Sequence, residues 1–208
     1  LKRSIHLIEF LAEKHDKEVS MTISTNGTLL TDENIDFLKE HNITLSISLD
    51  GTKFMNQLRL MIDGQNMYKI VTDNIKRLVD KDFKDLRVHM TVHEFNVGWF
   101  FEGVKTIYSL GIKNIDVGII EGSNTNLTRE GSEYFESELK LVSDWIKKDK
   151  IEDLWFEPFN YYDSTGNKVY TLDEAGNSIG ERFEDTGEVK VDLKDEIFSF
   201  VTKYHKGE

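Results

Sequence analysis

The sequence predicts an α/β fold built on a parallel sheet, and three observations support this prediction. Along residues 1–150, helical spacing of apolar residues alternates with short β-branched runs, beginning and ending with a helix. The runs end in polar segments, most of which hold a glycine or asparagine that tolerates tight turns. From residue 151 the pattern changes to aromatic residues and glycine-punctuated short segments. We therefore expect a (β/α) domain over residues 1–150 and a small extension with hairpins over residues 151–208.

Four strands are expected where β-forming residues alternate or run together. They are residues 19–23, 43–49, 86–92 and 115–120. The polar segments at their carboxyl ends are residues 24–27, 48–51, 93–96 and 121–124. Because parallel α/β sheets place their chemistry at the carboxyl ends of strands, these exits form the candidate functional edge.

Five helices are expected between and around the strands. They are residues 4–15, a helix capped by Thr31 and running to His41, residues 68–79, residues 97–110, and a helix capped by Thr128 and running to about Lys148. Thr31 and Thr128 suit N-caps because their hydroxyls accept hydrogen bonds from N–H groups of the first turn. Asn42 and Gly111 are expected to end the second and fourth of these helices.

The extension is acidic and aromatic. Residues 152–208 hold 14 acidic and 6 basic residues, and an aromatic cluster over residues 155–162 surrounds Pro158. The cluster is either part of a core or a surface that grips a peptide. Short alternating runs at residues 169–172 and 188–191 predict hairpins, and residues 194–203 predict a last helix.

Composition excludes several classes of function. With 26 basic and 38 acidic residues the net charge is −12, which disfavours contact with nucleic acid or an anionic membrane surface. No apolar run reaches the roughly 20 residues of a membrane span, and no signal peptide is recognised, so a cytoplasmic location is expected. The chain has no cysteine and so supplies no disulfide, thiolate nucleophile or cysteine ligand for an iron–sulfur cluster.

Common site motifs are missing as well. No metal site is expected, since the histidines form no ligand pair and His89 and His93 would lie about 13 Å apart along a strand. Neither a GxxxxGK[ST] loop nor a GxGxxG loop is present, and no GxSxG surrounds Ser24 or Ser48.

One set of strings is more specific. The chain reads Ser24-Thr25-Asn26-Gly27-Thr28-Leu29-Leu30-Thr31, then Leu45-Ser46-Ile47-Ser48-Leu49-Asp50-Gly51, then Arg59, then Asn74-Ile75 with Leu78. This order resembles the radical S-adenosylmethionine (AdoMet) enzymes, in particular the sulfatase-maturating and peptide-modifying branch that often carries a SPASM tail. The resemblance covers residues 1–150 and implies a partial (β/α) barrel of the radical AdoMet type with parallel strands.

The resemblance also implies site residues. Ser48 and Arg59 would help hold the ribose and carboxylate ends of AdoMet, with Asn26 and Asp50 shaping the rim. Ile119 or Ile120 would offer an apolar or backbone contact to adenine. For Asn26, Ser48 and Asp50, the alternative is that they only build the turns.

Departures from the family pattern shape the expectation for activity. The CxxxCxxC loop that binds the [4Fe–4S] cluster and the GGEP motif are absent, and the stretch before Arg59 lacks His-Asp and is one residue short. The sequence is therefore expected to be the C-terminal portion of a longer radical AdoMet enzyme that abstracts hydrogen from a peptide or protein side chain. This chain alone is expected to be inactive, binding no cluster itself. The missing barrel half would come from a companion polypeptide, or the chain would form an oligomer.

Two other functions stay open. The protein could be a non-catalytic barrel relative that lost its cluster and binds a peptide or partner. It could also be an unrelated βα-repeat enzyme with His93, Asn96 and Glu121 on the rim, facing its substrate.

Overall fold

The structure is a computed structural model that describes residues 1–120 and 127–156, together with the backbone of residues 171–172 and 178–179. The chain divides into two compact units, one of residues 1–20 and 181–208 and one of residues 21–180. The described part of the first unit contains helix α1, Lys2–Lys14, close to its expected bounds. Ile5 and Leu11 of this helix are buried.

The second unit contains a five-stranded parallel sheet. Its strands, in spatial as well as chain order, are β1 (Thr22–Thr25), β2 (Thr44–Ser48), β3 (Leu86–Val92), β4 (Asn114–Ile119) and β5 (Trp155–Phe156). Every neighbouring pair runs parallel. The expected α/β class with parallel strands is confirmed, because each connection returns the chain to the same end of the sheet.

Helices fill the connections between these strands. They are α2 (Asp32–Glu40), α3 (Tyr68–Asp80), α4 (Phe100–Ser109), which follows a 3-10 turn at Val97–Trp99, and α5 (Arg129–Asp149). Among the described residues, no helix is both long and apolar enough to cross a membrane.

The expected helix ends are confirmed. The Thr31 hydroxyl accepts a hydrogen bond from the Asn34 N–H at 3.2 Å, and the Thr128 hydroxyl accepts one from the Gly131 N–H at 3.0 Å. Asn42 and Gly111 follow their helices with φ angles of 50° and 91°. These two residue types tolerate the left-handed conformation best, so local sequence was sufficient to place the ends.

The core lies between the sheet and its helices. Alternate residues of β3 are buried, which is the period-2 pattern of a strand with one covered face. Phe100 at the start of α4 is fully buried and contacts Phe135 and Phe156, with ring centroids 5.0 and 6.0 Å away. The aromatic contacts thus join α4, α5 and β5 into one apolar layer.

Two strands differ from the sequence prediction. The first strand was expected over residues 19–23, but β1 covers Thr22–Thr25, because its register pairs Thr22 with Thr44 and Thr25 with Ile47. Partner strands decide which residues of a polar β-forming run are paired. The strand β5 was not expected at all, since two residues are too few to show a period.

The tail is described in part. Strands β6 (Thr171–Leu172) and β7 (Ser178–Ile179) pair antiparallel, which agrees with a hairpin at the first expected position. The second expected hairpin at residues 188–191 and the helix at 194–203 lie outside the described residues, as do residues 157–162 of the aromatic cluster. Within that cluster Phe156 is core, with 1% of its surface exposed, and Trp155 is 38% exposed.

A backbone contact ties the second strand exit to α4. Gly51 has a φ of 110°, and a Cβ added to it would overlap the Cα of Gly103 in α4. Gly103 in turn lies against Met55 and Met90. Two glycines facing each other let the loop after β2 approach the helix closely.

Gly51→Ala is expected to destabilise the protein far more than Gly64→Ala. Gly64 also has a positive φ of 81°, but a Cβ there meets nothing within 4 Å, so it measures backbone strain alone, about 1–2 kcal/mol. The additional loss of unfolding free energy in Gly51→Ala measures the effect of the close approach between Gly51 and Gly103. Urea unfolding of both variants measures the difference, and equal losses would show that the contact contributes nothing.

Candidate functional site

The first two strand exits lie side by side. Strands β1 and β2 are parallel neighbours, so Asn26-Gly27 and Asp50-Gly51 leave the sheet at the same edge. This placement is what the resemblance requires. Exits on opposite edges, or on strands that are not neighbours, would have ruled it out.

Asn26 builds the turn at the first exit. Its Oδ1 accepts hydrogen bonds from the Thr28 N–H at 3.1 Å and the Thr28 hydroxyl at 2.9 Å, and the residue is exposed. Gly27 follows with a φ of 72°, and a Cβ there would lie 3.0 Å from Ile47. The turn is therefore held by the asparagine side chain, and only a glycine fits next to β2.

Helix α3 holds this first exit from behind. The buried Asn74 donates from Nδ2 to the Gly27 carbonyl at 2.7 Å. Arg77 donates from Nη1 to the Leu30 carbonyl at 2.9 Å and to Asn74 Oδ1 at 2.8 Å. The sequence reasoning did not assign these residues to the site. A usable signal existed, because Asn74 falls on the apolar face of α3 between Val71 and Leu78.

At the second exit, a buried ion pair occupies the centre. Arg59 donates from Nε to Asp50 Oδ2 and from Nη2 to Asp50 Oδ1, both at 2.6 Å. The Asp50 side chain is 5% exposed and that of Arg59 is 22% exposed. Asp50 Oδ1 also accepts the Thr91 N–H of β3 at 2.8 Å, and Arg59 reaches the Thr91 hydroxyl at 3.3 Å. The bidentate pair therefore connects the exit of β2 to the end of β3.

Asn56 completes the second exit. Its Oδ1 accepts the Asp50 N–H at 3.0 Å, and its Nδ2 donates to the Thr52 carbonyl at 2.8 Å. Asn66 donates to the Asn56 carbonyl at 2.7 Å, just before α3 begins. The connection over residues 52–66, expected as a polar loop, is therefore held together by hydrogen bonds from the side-chain amides of Asn56 and Asn66.

These contacts bear on the roles expected for Asp50 and Arg59. Each charge is neutralised by the other, so neither presents a free charge at the rim. The geometry favours a positioning role for the pair, and direct contact with a cofactor stays a prediction. Asn56 and Thr91 were missed by the sequence reasoning, because polar side chains in loops and at strand ends are too common to single out.

Ser48 differs from its neighbours at the edge. It is the last residue of β2 and is half-buried. Within the part of the chain that the structure describes, its hydroxyl has no hydrogen-bond partner, and no fully buried polar atom there lacks one. The Ser48 hydroxyl is therefore open to solvent and able to donate to a ligand and to accept from it.

At the fourth strand, Ile119 and Ile120 are also half-buried. The Ile120 N–H donates to the Val92 carbonyl at 3.0 Å, which extends the pairing of β3 with β4 by one residue. Partly open apolar side chains at this edge suit a flat hydrophobic group. Glu121, expected to face a substrate, lies outside the described residues.

At the third exit, His93 and Asn96 are more buried than a rim residue is expected to be. They are 4% and 1% exposed. Asn96 accepts the His93 N–H at 2.9 Å and donates to the Thr91 carbonyl at 2.9 Å, and His93 Nδ1 accepts the Phe95 N–H at 3.2 Å. Both side chains hold the loop after β3, so a role facing the substrate stays a prediction for them.

Burial lowers the pKa of His93 below its usual 6.5. The negative charge of Asp50 opposes this shift, and the positive charge of Arg59 adds to it. Because Nδ1 accepts the Phe95 N–H, the neutral ring carries its proton on Nε2.

Asp50→Asn is expected to reduce the free energy of unfolding by about 3 kcal/mol, since it leaves the mostly buried Arg59 without a counter-charge. Asp73→Asn is the matched control, because Asp73 pairs with Lys69 on the exposed surface of α3 and should matter much less. Urea unfolding compares the two. Equal losses would show that the buried pair has no special role.

The stability of the protein is expected to depend on pH through His93. Because the folded-state pKa of His93 lies below 6.5, the unfolded chain binds the proton more readily than the folded chain. The contribution of the neutral His93 ring to the free energy of unfolding is therefore present above pH 6.5 and is lost as the pH falls below it. Unfolding free energies at pH 7.5 and 5.5 should differ less in His93→Gln, whose side-chain oxygen can still accept the Phe95 N–H. An unchanged difference would contradict this role.

Comparisons with known proteins agree with this geometry. A family model described as the Radical SAM superfamily matches residues 1–100. That match ends after the first three strand exits, so it covers the segment that carries Asn26, Ser48, Asp50 and Arg59.

Solved structures share the fold. They include native anSMEcpe with bound AdoMet (18% identity, TM-score 0.63, 76% of this chain and 47% of that one). Native anSMEcpe with bound AdoMet and Cp18Cys peptide matches at 19% identity and a TM-score of 0.61, over 71% of this chain and 44% of that one. SuiB of Streptococcus suis bound to S-adenosylmethionine matches at 17% identity and a TM-score of 0.53, over 71% and 32%. The chain thus spans less than half the length of these relatives, and residues 1–100 resemble the Radical SAM superfamily domain within a shared fold.

Proposed function

We propose that this chain is the later part of a radical AdoMet enzyme that modifies a peptide or protein side chain by hydrogen abstraction. The observation that carries the proposal is that the exits of β1 and β2 lie at the same end of the sheet, where β2 ends at Ser48 with its hydroxyl open. The family match over residues 1–100 and the fold shared with AdoMet-bound structures support it.

The residues at this edge fit the nucleoside part of AdoMet. Ser48 offers a hydroxyl to the ribose, and the exposed Asn26 offers the Nδ2 of its amide, because its Oδ1 holds the turn. The half-buried Ile119 or Ile120 offers an apolar or backbone contact to the adenine ring. The Asp50–Arg59 pair holds the loop beside Ser48 and keeps the rim in place.

Cluster chemistry is not supplied by this chain. In the family a [4Fe–4S] cluster delivers the electron that cleaves AdoMet reductively, and that cluster is held by cysteines. The chain has none, so its residues do not fit the cluster, and we derive no step through it. In the proposed enzyme, a longer parent chain supplies the cysteines, and this chain supplies binding and orientation.

The missing barrel strands would pair with β1. In the described sheet β1 is an edge strand, with β2 on its inner side. An unpaired parallel edge is a template for another strand. We propose that a preceding segment, a companion polypeptide or a second copy provides the strand that pairs with β1. The peptide or protein substrate enters at the end of the sheet where the strand exits lie.

The absence of cysteine also favours one alternative. The protein could be a cluster-less barrel relative that binds a peptide or partner without catalysis. An unrelated βα-repeat enzyme built on His93 and Asn96 is less well supported, because both side chains are buried and serve the loop.

AdoMet is expected to bind the chain at the Ser48 edge. Ser48→Ala should weaken the Kd about tenfold, since it removes one hydrogen bond to the ligand, worth about 1.4 kcal/mol. The control is Ser137→Ala, whose hydroxyl donates within the exposed side of α5 and which should leave binding unchanged. Titration calorimetry measures all three proteins.

A second test examines the gene that encodes this chain. The reading frame upstream of Leu1, or a partner polypeptide, should encode CxxxCxxC, and the protein carrying that motif should bind iron. No AdoMet binding together with no upstream cysteine motif would overturn the proposal. An iron-free full-length protein that still binds a peptide would favour the alternative.

A further inference from the structure

A cavity opens beside the third strand exit, between the loop after β3 and the first turns of α5. Its volume is about 330 Å³, and three of the residues that line it are aromatic: Phe95, Trp99 and Tyr134. Among the described residues that line the cavity, none holds the first two strand exits. The proposed AdoMet edge therefore leaves this cavity without a role.

The three aromatic rings are open to solvent and are not part of the core. Phe95, Trp99 and Tyr134 are 55%, 54% and 53% exposed. The first two belong to the segment after β3 and the third belongs to α5, so rings from two elements meet at one concave surface. Single exposed aromatic residues are common, but several around one cavity mark a binding surface.

A glycine keeps part of the cavity open. Gly98 lines the cavity between Val97 and Trp99, and a Cβ added to Gly98 would meet no atom within 4 Å. The φ of Gly98 is not positive, so its backbone conformation does not require a glycine. Among the described residues, the space beside Gly98 is therefore free, and a side chain at this position would enter it.

Two carboxylates make the cavity negative. Glu94 accepts the Thr128 N–H and the Thr128 hydroxyl, each at 2.9 Å, and a Cβ on Gly131 would overlap its Oε2. Glu130 lies exposed in the first turn of α5, and both glutamates line the cavity. Two full negative charges exceed the partial positive charge of one helix end, so the cavity attracts a cation.

From these features we infer that the cavity binds a small free quaternary ammonium compound of the choline type. The methyl groups of such a cation spread its charge over an apolar surface, which aromatic rings contact without needing a hydrogen-bond donor. A primary ammonium group is a compact and strongly hydrated charge, so it loses more on leaving water. A neutral apolar ligand would take water from the carboxylates without compensation, and an anionic group would be repelled by them.

The ligand would contact the loop after β3 and α5 at once. At present the hydrogen bonds from Thr128 to Glu94 join these two segments. A bound cation between Trp99 and Tyr134 adds a second connection. Because the ligand binds the folded protein only, saturating choline should raise the Tm. The inference does not rest on the proposed function, since the cavity lies apart from the first two exits.

Three matched ligands test the inference. Choline and 3,3-dimethylbutan-1-ol have the same shape, but the alcohol has a neutral carbon in place of the nitrogen. Phosphocholine keeps the trimethylammonium group and adds a phosphate, as in a lipid headgroup. The indole N–H resonance of Trp99, assigned by its loss in Trp99→Phe, reports binding, and those of Trp145 and Trp155 are internal controls. We expect choline to shift the Trp99 resonance saturably and to bind about fivefold more tightly than either other ligand.

Two variants examine the two parts of the site. Gly98→Leu places a side chain in the open space and should abolish the choline-dependent shift of Trp99. Glu130→Gln should weaken choline binding severalfold, whereas Glu136→Gln, the same change at an exposed position farther along α5, should not. Glu94 is left unchanged because its carboxylate holds Thr128. The ligand comparison uses the unaltered protein, so it decides the question even if a variant fails to fold.

Several results would overturn the inference. They are equal binding of choline and the neutral alcohol, no saturable shift at Trp99, an unaffected Glu130→Gln, or tighter binding of phosphocholine than of choline. The last result would show that the carboxylates do not select a free cation. The outcome is separable from that of the proposed function, because choline needs no AdoMet to bind. Choline binding without AdoMet affinity would leave the cavity assignment standing and count against the radical AdoMet proposal alone.

Discussion

The bidentate contact between Asp50 and Arg59 is the interaction on which the candidate edge depends. The Asp50 carboxylate accepts hydrogen bonds from Arg59 and from the Thr91 N–H of β3, and the Asp50 backbone N–H donates to Asn56 Oδ1, so Asp50 joins three segments. A charged pair that is mostly buried is stable only when its remaining hydrogen bonds are satisfied. Here the surrounding amides and hydroxyls satisfy them, so the loop after β2 takes one conformation and Ser48 is left as the open group.

Close backbone packing supports the same arrangement. Gly51 lies against Gly103 of α4, and Gly27 lies against Ile47 of β2. Both exits are therefore closely packed, the first against β2 and the second against α4. Polar side chains of α3 hold the first exit, and the connection over residues 52–66 holds the second. On the proposed function, hydrogen-bonded exits on adjacent strands would form a pre-organised surface for the ligand, which lowers the ordering cost of binding.

The proposed reaction needs both binding groups, which this chain contains, and a redox group, which it lacks. On the proposed function, the strand exits and the open Ser48 hydroxyl bind and orient the ligand. The absence of cysteine removes the redox part of the proposed reaction from the chain. The fold shared with AdoMet-bound structures agrees with this division, because the matched part of the chain covers only 47% of one such structure and 44% of another. On the proposed function, catalysis depends on completing the barrel.

Local sequence by itself determined the helix caps, the order of elements and the position of the exits. Thr31, Thr128 and Gly111 act within one turn of their own helices, so neighbouring residues carry the whole signal. The bounds of β1, the short β5 and the pairing of Asp50 with Thr91 were decided by the tertiary structure. Each depends on a partner distant in the chain, 41 residues away for Asp50 and Thr91. Burial of His93 and Asn96 belongs to the same group, because packing from several elements sets the exposure of a loop residue, and no short pattern records it.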